Sequence, residues 1–332
     1  MSAQGSLVPT FACVSENAPE WFERTFGLVL SIRRLGGSLA EAPIVVYMVE
    51  GADSRFVSGF GALGAEARVV PRFDAEDPYA NKLRIFEAGP DPGTDVLVAL
   101  DCDTVVVGDF ASLLATDAVG VKPADRDFLR DDEWRCIFAE LGMPVPVRDC
   151  VTTSLNQRTY PYFNSGVVIV PGAMSQPLFA LWSEYMDVVA GVRRRHPDIR
   201  PLSVFAEQVS LACALLGGGL PVRHLPPSMN FPMHLDVHRD HLASALPPRI
   251  LHHHGRTDAH GFLLATRYAE ANELIDRYND ERAKATGIPY PGLRRPGRID
   301  RIRQTLRMTS WYHSRPASFL RAAVTGERRR KR

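Results

Sequence analysis

Two aspartates separated by one residue follow an apolar run of the sequence. Residues 96–100 are all apolar and lead directly into Asp101, Cys102 and Asp103. In open α/β sheets, ligands bind beyond the carboxyl ends of the strands, and the pair is expected at such an end. Two carboxylates at positions i and i+2 can converge on one divalent cation, and oxygen ligands favour Mn²⁺ or Mg²⁺. A cation held there would neutralise the charge of a departing nucleotide diphosphate.

Three consecutive histidines, His252, His253 and His254, follow a predicted strand at 249–251, in which Ile250 and Leu251 are apolar. Side chains alternate along a strand, so His252 and His254 are expected on one face and His253 on the other. A neutral imidazole can complete a metal site with two carboxylates and leave positions open for diphosphate oxygens. We therefore predict that one histidine of the triplet is a metal ligand.

Strand and helix patterns alternate through the first hundred residues. Helical spacing in 20–35 and 79–88 separates apolar runs, and both helices end at glycines. This alternation predicts an α/β fold with a mostly parallel sheet and helices on both faces. The other predicted elements are strands at 10–15, 43–49, 67–70, 95–100, 166–170 and 249–251, a helix at 207–216, and loops over 221–248.

Composition narrows the class of protein. The chain has 332 residues, of which 45% are apolar and 23% charged, as is usual for a globular protein that is soluble in water. It has no apolar run of about 18 residues and no pattern of a secretory signal, so we expect a cytoplasmic protein. Five cysteines without a C-x-x-C pair favour reduced thiols over disulfides or structural zinc.

Charge divides the chain into two parts. Residues 293–332 hold twelve Arg and one Lys against two acidic residues, a balance of +11, and the total of +1 leaves −10 for the rest. We predict one domain at 1–290 and a basic, partly amphipathic tail at 291–332. Basic residues among Trp311, Tyr312 and Phe319 suit peripheral contact with anionic lipid on the inner face of a membrane. The acidic body argues against nucleic acid.

Four segments resemble family 8 glycosyltransferases, the group of glycogenin and bacterial galactosyltransferases. Residues 98–106 are similar to the metal-binding strand of that family, and residues 81–86 to its lysine-containing helix. Residues 162–168 match its F-N-S-G strand, and residues 251–255 resemble its late H-x-x-G turn. The resemblance implies a GT-A, Rossmann-like fold. It also implies transfer of a hexose from a nucleotide diphosphate sugar, expected to be a UDP-sugar, to an acceptor hydroxyl with retention of configuration.

The resemblance also implies roles for particular residues. The metal ligands would be Asp101, Asp103 and His252, with His254 as the alternate. Catalysis would involve Asp103, Asn164, Glu207 and Gln208. Donor contacts would come from Cys13, Ser15, Asn17, Lys82, Asp101, Cys102, Asp103, Asp125, Asn164, Ser165 and Gly255.

The sequence departs from the family at two of these places. Glu207-Gln208 stands where the family has Asp-Gln, and residues 256–258 stand where it has Lys-Pro-Trp.

Two other functions fit an α/β protein with these features. A sugar-phosphate nucleotidyltransferase would carry a glycine-rich, basic loop after the first strand, and residues 15–19 supply neither feature. A sugar- or nucleotide-binding protein without activity could share the fold, although it would not need both aspartates and the histidine. The acceptor could be a glycan, a lipid or a small molecule, and the oligomeric state, including a homo-oligomer, stays open.

Overall fold

A computed structural model describes residues 7–75, 77–234, 245–300 and 302. Its strands, numbered along the chain, are β1 Pro9–Glu16, β2 Ile44–Val49, β3 Glu66–Val70, β4 Val96–Leu100, β5 Thr104–Val106, β6 Val119–Pro123, β7 Cys150–Val151, β8 Arg158–Thr159, β9 Phe163–Pro171, β10 Val222–His224, β11 Phe231–Pro232 and β12 Ile250–His252. The α-helices are α1 Pro19–Leu35, α2 Ser54–Ala62, α3 Leu83–Ala88, α4 Asp131–Glu140, α5 Ser175–Arg195, α6 Leu202–Gly217 and α7 Ala269–Thr286.

A seven-stranded sheet in the order β10-β6-β9-β4-β1-β2-β3 forms the centre of the fold. Its neighbours pair in parallel except at β9, which runs antiparallel to both β4 and β6. The predicted mostly parallel α/β sheet is therefore confirmed. Because β9 is reversed, its first residues lie at the edge where the parallel strands end.

Helices cover both faces of this sheet, as the alternating pattern predicts. Along β4, Leu97 and Ala99 point into one core, and Val96, Val98 and Leu100 point into the other. Residues of α3, α4, α5 and α6 complete the first core, and residues of α1 and α2 complete the second. Burial on both sides explains why β4 is a continuous apolar run rather than an alternating one.

A smaller, three-stranded sheet in the order β11-β12-β5 lies beside the main one. Strand β5 follows the two aspartates, and it pairs antiparallel with β12, which precedes the histidines. Helix α7 packs on this sheet through Ile275 and Tyr278. Helix α1 holds it from the other side, since Ser31 Oγ accepts a hydrogen bond of 2.9 Å from the Val106 amide.

Some elements differ from the sequence-based expectations. The segment 221–248, predicted to be loop, contains β10 at the edge of the main sheet and β11 in the smaller one. The predicted helix at 79–88 is a 3₁₀ helix, Pro78–Lys82, followed by α3. Strand β9 begins at Phe163, so Asn164 and Ser165 lie within the strand. For the three strands, pairing with distant strands sets the boundary, and the local pattern does not report it.

The start of the predicted tail packs against the domain. The Arg294 carbonyl accepts a hydrogen bond of 2.9 Å from the Ala265 amide, and Leu293 contacts the core around α7. Most of the tail, including Trp311, Tyr312 and Phe319, lies outside the described residues. Across the described ranges, none of the helices has the length and apolarity needed to cross a membrane.

Candidate active site

A cleft of about 690 Å³ opens at the edge of the sheet where β1 and β4 end. Eleven of the residues predicted from the sequence line it, although they come from segments far apart in the chain. They are Lys82, Asp101, Cys102, Asp103, Asp125, Asn164, Ser165, Glu207, Gln208, His252 and His254.

Backbone pairing brings the second aspartate to the histidines. The ladder between β5 and β12 sets Thr104 opposite His252, and the His253 amide donates a hydrogen bond of 3.0 Å to the Asp103 carbonyl. His252 Nε2 then lies 3.1 Å from Asp103 Oδ1 and 3.9 Å from Asp101 Oδ2. One ligand atom each from Asp103, His252 and His254 falls within 4.8 Å of the others. These three residues have the geometry to share a metal ion.

The His252 ring is held by a chain of buried amides. Its Nδ1 lies 2.9 Å from the side-chain oxygen of Asn230, and the Asn230 amide donates a hydrogen bond of 2.8 Å to Asn164 Oδ1. The Gly166 amide also donates to Asn164 Oδ1, at 2.8 Å. A hydrogen bond at Nδ1 leaves Nε2 as the nitrogen that faces Asp103 and can bind a metal. Asn164 therefore supports the imidazole, and Asn230 is part of the site although sequence reasoning missed it.

Gly166 makes room for the same ring. A methyl group at this position would stand 2.7 Å from His252 Cε1 and 2.9 Å from Asn164 Oδ1. Real side chains do not approach so closely, so any larger residue would displace the imidazole. The F-N-S-G segment thus contributes a glycine to the packing of His252.

Electrostatic coupling ties Asp103 to the imidazoles. Burial acts to raise the pKa of Asp103, but the charge and hydrogen bond of His252 hold this pKa well below its usual value. Burial by itself would lower the pKa of His252. The negative charges of Asp103 and Asp101 have the larger effect, so the pKa of His252 is raised above its usual value. The pKa of His254 is held well below its usual value by burial and by His252, so this ring is neutral and keeps a lone pair.

Asp101 belongs to a different network, centred on Lys82. The Lys82 ammonium lies 2.7 Å from Asp101 Oδ1 and 3.5 Å from Glu207 Oε1, and it donates hydrogen bonds of 2.9 Å to the Ser165 carbonyl and hydroxyl. Burial acts to lower the pKa of Lys82, but Asp101 and Glu207 outweigh burial and raise it. Lys82 is thus a buried cation fixed at the floor of the cleft.

Glu207 closes this network from α6. The residue is 3% exposed, and its Oε2 accepts a hydrogen bond of 2.8 Å from the Ser165 hydroxyl. Burial raises the pKa of Glu207 to about 7, against the opposing effect of Lys82. Gln208, the next residue, also lines the cleft. Glu207 therefore positions Ser165 and Lys82.

Asp125 lies on the β6 side of the cleft, where it pairs with a buried lysine. Lys122 Nζ is 2.5 Å from its Oδ1, and the Thr153 hydroxyl donates a hydrogen bond of 2.6 Å to the same oxygen. Burial by itself would raise the pKa of Asp125. Lys122 and Thr153 have the larger effect, so the pKa of Asp125 is lowered below its usual value. Asp125 is consequently ionised and fixed.

Four predicted donor contacts lie outside the lining of the cleft. Cys13 and Ser15 are 1% and 0% exposed, and it is Val14 and Glu16 of the same strand that line the cleft. Burial raises the pKa of the Cys13 thiol to about 12.

The other two residues lie in turns. Asn17 accepts a hydrogen bond of 3.0 Å from the Asp53 amide, so it stabilises the loop that follows β2. Gly255 has φ +71° in the turn after His254.

Several residues of the cleft were not predicted from the sequence. Trp21 and Arg24 lie three residues apart on α1, a spacing that places them on one face, and the Arg24 guanidinium stacks 4.7 Å from the Trp21 ring centre. On the opposite side, Phe128 and Phe205 stack with centroids 4.3 Å apart. His234 packs edge-on against His254, at 4.0 Å. The remaining members include Arg72, Tyr79, Asn81 and Arg126.

A protein-family model described as a Rhodobacterales glycosyltransferase domain matches residues 26–219. The chain belongs to this glycosyltransferase family. Among solved structures, galactosyltransferase LgtC in complex with donor and acceptor sugar analogs is 15% identical, with a TM-score of 0.52 over 84% of this chain and 97% of that one. An active-site mutant of LgtC is 14% identical, with the same score and coverage. A search of curated proteins finds no match.

At these identities the structural likeness shows the fold alone, which is that of GT-A glycosyltransferases. The family match shows the class of enzyme, a glycosyltransferase. The expected fold and the expected enzyme class are thereby both confirmed.

Proposed function

We propose that this glycosyltransferase moves a hexose from a nucleotide diphosphate sugar, a UDP-sugar, to an acceptor hydroxyl with the help of a divalent cation. One observation carries the proposal: Asp103, His252 and His254 meet next to Lys82 at the edge of the sheet where ligands of α/β proteins bind. This set combines metal ligands with a fixed cation for phosphate oxygens. The two-residue turn between β1 and α1 supports a transferase over a nucleotidyltransferase, because it leaves no room for a triphosphate-binding loop.

The metal-ligating residues fit a divalent ion chemically. Asp103 is ionised, His254 is neutral, and His252 turns Nε2 towards the same point. A bound Mn²⁺ or Mg²⁺ would act as a Lewis acid that stabilises the leaving diphosphate. Asn230 and Asn164 keep the His252 ring in its orientation, which lowers the cost of assembling the site.

Two cations of the chain are placed to receive the diphosphate. Lys82 is held at the floor of the cleft by Asp101 and Glu207. Arg24 lines the β1 side, and in the part of the chain that the structure describes its guanidinium forms no ion pair. Arg24 can donate charge-assisted hydrogen bonds to phosphate oxygens, whereas the three N–H groups of Lys82 already have partners and Lys82 would act through its charge. Arg24 would then take the place of the lysine in the family's Lys-Pro-Trp segment, because Arg256 at that place donates to the carbonyls of Met233 and Ala265.

Sheet order assigns the two sides of the cleft. Asp101 follows β4, which stands between β1 and β9. We place the nucleotide on the β1 side, against Trp21 and Tyr79, and the acceptor on the β6 side, against Phe128 and Phe205. Aromatic faces suit a base on one side and the apolar face of a sugar on the other.

We propose retention of configuration at the transferred sugar. Inversion needs a carboxylate base that is free to take the proton of the acceptor. Asp125 is bound by Lys122 and Thr153, and Glu207 is turned towards Ser165 and Lys82. The resemblance to family 8 enzymes supports the same stereochemistry. Gln208 then lies where an amide could stabilise the reacting sugar.

The test is a screen of UDP- and GDP-hexoses for hydrolysis by the full-length protein, with and without Mn²⁺. We expect slow, metal-dependent release of UDP from one UDP-hexose. If the hexose of that donor is α-linked, proton NMR should show that the hexose released first is the α anomer. Asp53→Asn, at a half-buried helix cap outside the lining of the cleft, serves as the control for Asp103→Asn. Metal-independent hydrolysis that both variants retain would refute the proposal. Release of a hexose with inverted configuration would refute the proposed retention.

For the tail we propose contact with anionic lipid on the cytoplasmic face of a membrane. The supporting observation is the charge of +11 over residues 293–332. Vesicles of phosphatidylserine should co-sediment the full chain, but not a variant that ends at residue 302. Equal sedimentation of both would exclude this role.

A further inference from the structure

The β6 side of the cleft contains an arginine that the proposed chemistry does not use. Arg126 is half-buried and lines the cleft directly after Asp125. Its Nε is buried without a hydrogen-bond partner, and its guanidinium forms no ion pair among the residues that the structure describes. A guanidinium stays charged in proteins and has five N–H donors. An uncompensated guanidinium in a cleft is therefore a place where a substrate can bring a negative charge.

The two carboxylates beside Arg126 in the sequence are engaged with other groups. Asp125 Oδ1 lies 2.5 Å from the ammonium of the buried Lys122. Asp127 accepts a hydrogen bond of 3.0 Å from the indole N–H of Trp134. Neither carboxylate pairs with the guanidinium, so the positive charge of Arg126 stays available to a ligand.

A second polar atom without a partner lies on the same side of the cleft. His234 lines the cleft, and its Nδ1 is buried with no hydrogen-bond partner within the described segments. The pKa of His234 is lowered to about 4, chiefly by burial and in part by the positive charge of Arg126, which shows that the two groups interact. Buried polar atoms in proteins are nearly always satisfied, so two such atoms in one cleft indicate a polar ligand.

An aromatic surface accompanies these two groups. Phe128, two residues after Arg126, is 46% exposed and stacks on Phe205 with ring planes 11° apart. Phe205 has φ −113° and ψ 17° inside α6, so the helix is interrupted where it presents this ring to the cleft. An aromatic face suits the apolar face of a sugar ring. This side of the cleft thus offers a surface for a sugar and a cation for an acidic group.

The position of Arg126 separates it from the groups proposed to bind the diphosphate. Arg126 follows β6, and β9 stands between β6 and β4 in the sheet. Arg24 belongs to α1, which follows β1 on the other side of β4. Lys82 is fixed at the floor of the cleft by Asp101. The cation on the β6 side is therefore left for the acceptor.

We propose that Arg126 binds a carboxylate or phosphate group of the acceptor, and that the acceptor is therefore an acidic sugar whose ring lies against Phe128. A guanidinium binds either anion through charge-assisted hydrogen bonds. His234 Nδ1 supplies a further hydrogen bond to the same sugar. The inference rests on the proposed function for the location of the acceptor, and it adds the chemical class of that acceptor.

The first test compares sugars that differ in charge. Full-length protein with UDP and MnCl₂ is titrated calorimetrically with three pairs of sugars. They are the p-nitrophenyl β-glucuronide and β-glucoside, the p-nitrophenyl β-galacturonide and β-galactoside, and glucose 6-phosphate and glucose. We expect the anionic member of at least one pair to bind about tenfold more tightly or better, as a hydrogen bond to a charged group implies. The third pair separates phosphate from carboxylate.

Variants of Arg126 assign the preference to its guanidinium. Arg126→Gln should abolish the preference for the anionic sugar and leave the affinity for its neutral partner unchanged. Arg126→Lys, which keeps the charge without the planar fork, should retain part of it. Arg135→Gln is the control, because it removes an exposed arginine that pairs with Asp131 outside the lining of the cleft.

The second test asks whether the negative charge belongs to the donor instead. UDP-glucuronate and UDP-glucose are titrated with MnCl₂ into the wild type and Arg126→Gln, and we expect the substitution to change neither affinity. Weaker binding of UDP-glucuronate alone would assign the anion to the donor sugar. Equal losses for both would assign Arg126 to the diphosphate. Either result would overturn the proposal.

The wild-type comparison decides the matter even if a variant fails to fold. The inference is wrong if none of the three pairs shows a preference for its anionic member, or if Arg126→Gln leaves the preference intact. Metal-dependent release of UDP by the same protein would then leave the proposed function standing. A preference for the anionic sugar without such release from any donor would instead reject the proposed function, and with it the acceptor role of Arg126.

Discussion

The two aspartates of the D-x-D segment are separated by one residue, yet their carboxylates face different groups. Asp101 faces an ammonium group and belongs to a network with Lys82, Ser165 and Glu207. Asp103 faces two imidazoles. Under the proposed function this difference divides the work: Asp101 fixes a cation of the protein, and Asp103 would provide a ligand for a metal. A short motif can thus serve two networks because residues 101–103 form the turn between β4 and β5, where the Thr104 amide donates to the Asp101 carbonyl at 3.0 Å. In a turn, residues i and i+2 need not share a face as they do on a strand.

Removal of the Asp103 carboxylate should have the largest effect on this division. We expect Asp103→Ala to lower metal-dependent turnover by about 10³-fold or more, since a Lewis acid contributes several kcal/mol to such a reaction. Turnover and Mn²⁺ affinity would be measured on the same samples. Asp101→Asn is the matched variant, and it should lose turnover while it retains most of its Mn²⁺ affinity. Equal loss of metal binding in both variants would erase the distinction between the two aspartates.

The network of Asp101, Lys82 and Glu207 can be tested through the pH dependence of the free energy of unfolding. Its pKa is raised from 4.5 to about 7 in the fold, so the folded chain holds the proton more tightly than the unfolded chain does. The resulting stabilisation is complete below pH 4.5 and is lost as the pH rises through about 7. Glu207→Gln cannot ionise.

The stability of the wild type relative to Glu207→Gln should therefore fall by up to about 3 kcal/mol between pH 4 and pH 8. Urea unfolding at a series of pH values measures this difference. Parallel curves for the two proteins would contradict the buried, proton-binding state of Glu207.

Gly166→Ala tests the position of His252 beside Asp103 without removing any proposed metal ligand. The added methyl group would overlap the His252 ring, so we expect a loss of about 10–100-fold in Mn²⁺ affinity, as for a broken supporting contact. Gly61→Ala is the control, because a methyl group there meets no atom within 4 Å. The comparison fails if both alanine variants bind Mn²⁺ like the wild type.

Arg24 gives the smallest expected effect. If its guanidinium binds the diphosphate, Arg24→Gln should weaken UDP binding by about tenfold, or about 1.4 kcal/mol, and leave uridine binding unchanged. Calorimetry with UDP and uridine in the presence of Mn²⁺ separates the two contributions. Arg72→Gln, which removes a cation already paired with Glu16 and Glu50, should have less influence on UDP. A uniform loss for both ligands would point to a packing role for Arg24.

The sequence by itself determined the parts of this protein that local pattern encodes. The apolar run of β4 located the edge of the sheet and placed Asp101 and Asp103 there, because a strand buried on both faces leaves an unambiguous signal. The alternation of strands and helices gave the class of fold. Four short segments gave the class of enzyme.

The tertiary structure alone decided how these residues are shared between networks. Strand β12 meets β5 across a large separation in sequence, and this ladder brings His252 and His254 to Asp103. Asp101 lies farther from His252, at 3.9 Å against 3.1 Å for Asp103. Reversal of β9 places Ser165 beside Lys82. Long-range pairing of this kind depends on the whole sheet, so no local window contains it.

Strand phase and helix position explain the remaining differences. The pairing of β1 turns Val14 and Glu16 towards the cleft and buries Cys13 and Ser15. The sequence of β1 does not specify this choice, because polar and apolar residues do not alternate along it. Arg24 and Asn230 have no motif around them. They enter the site because α1 and the chain before β11 pack against it, and packing is a property of the folded molecule.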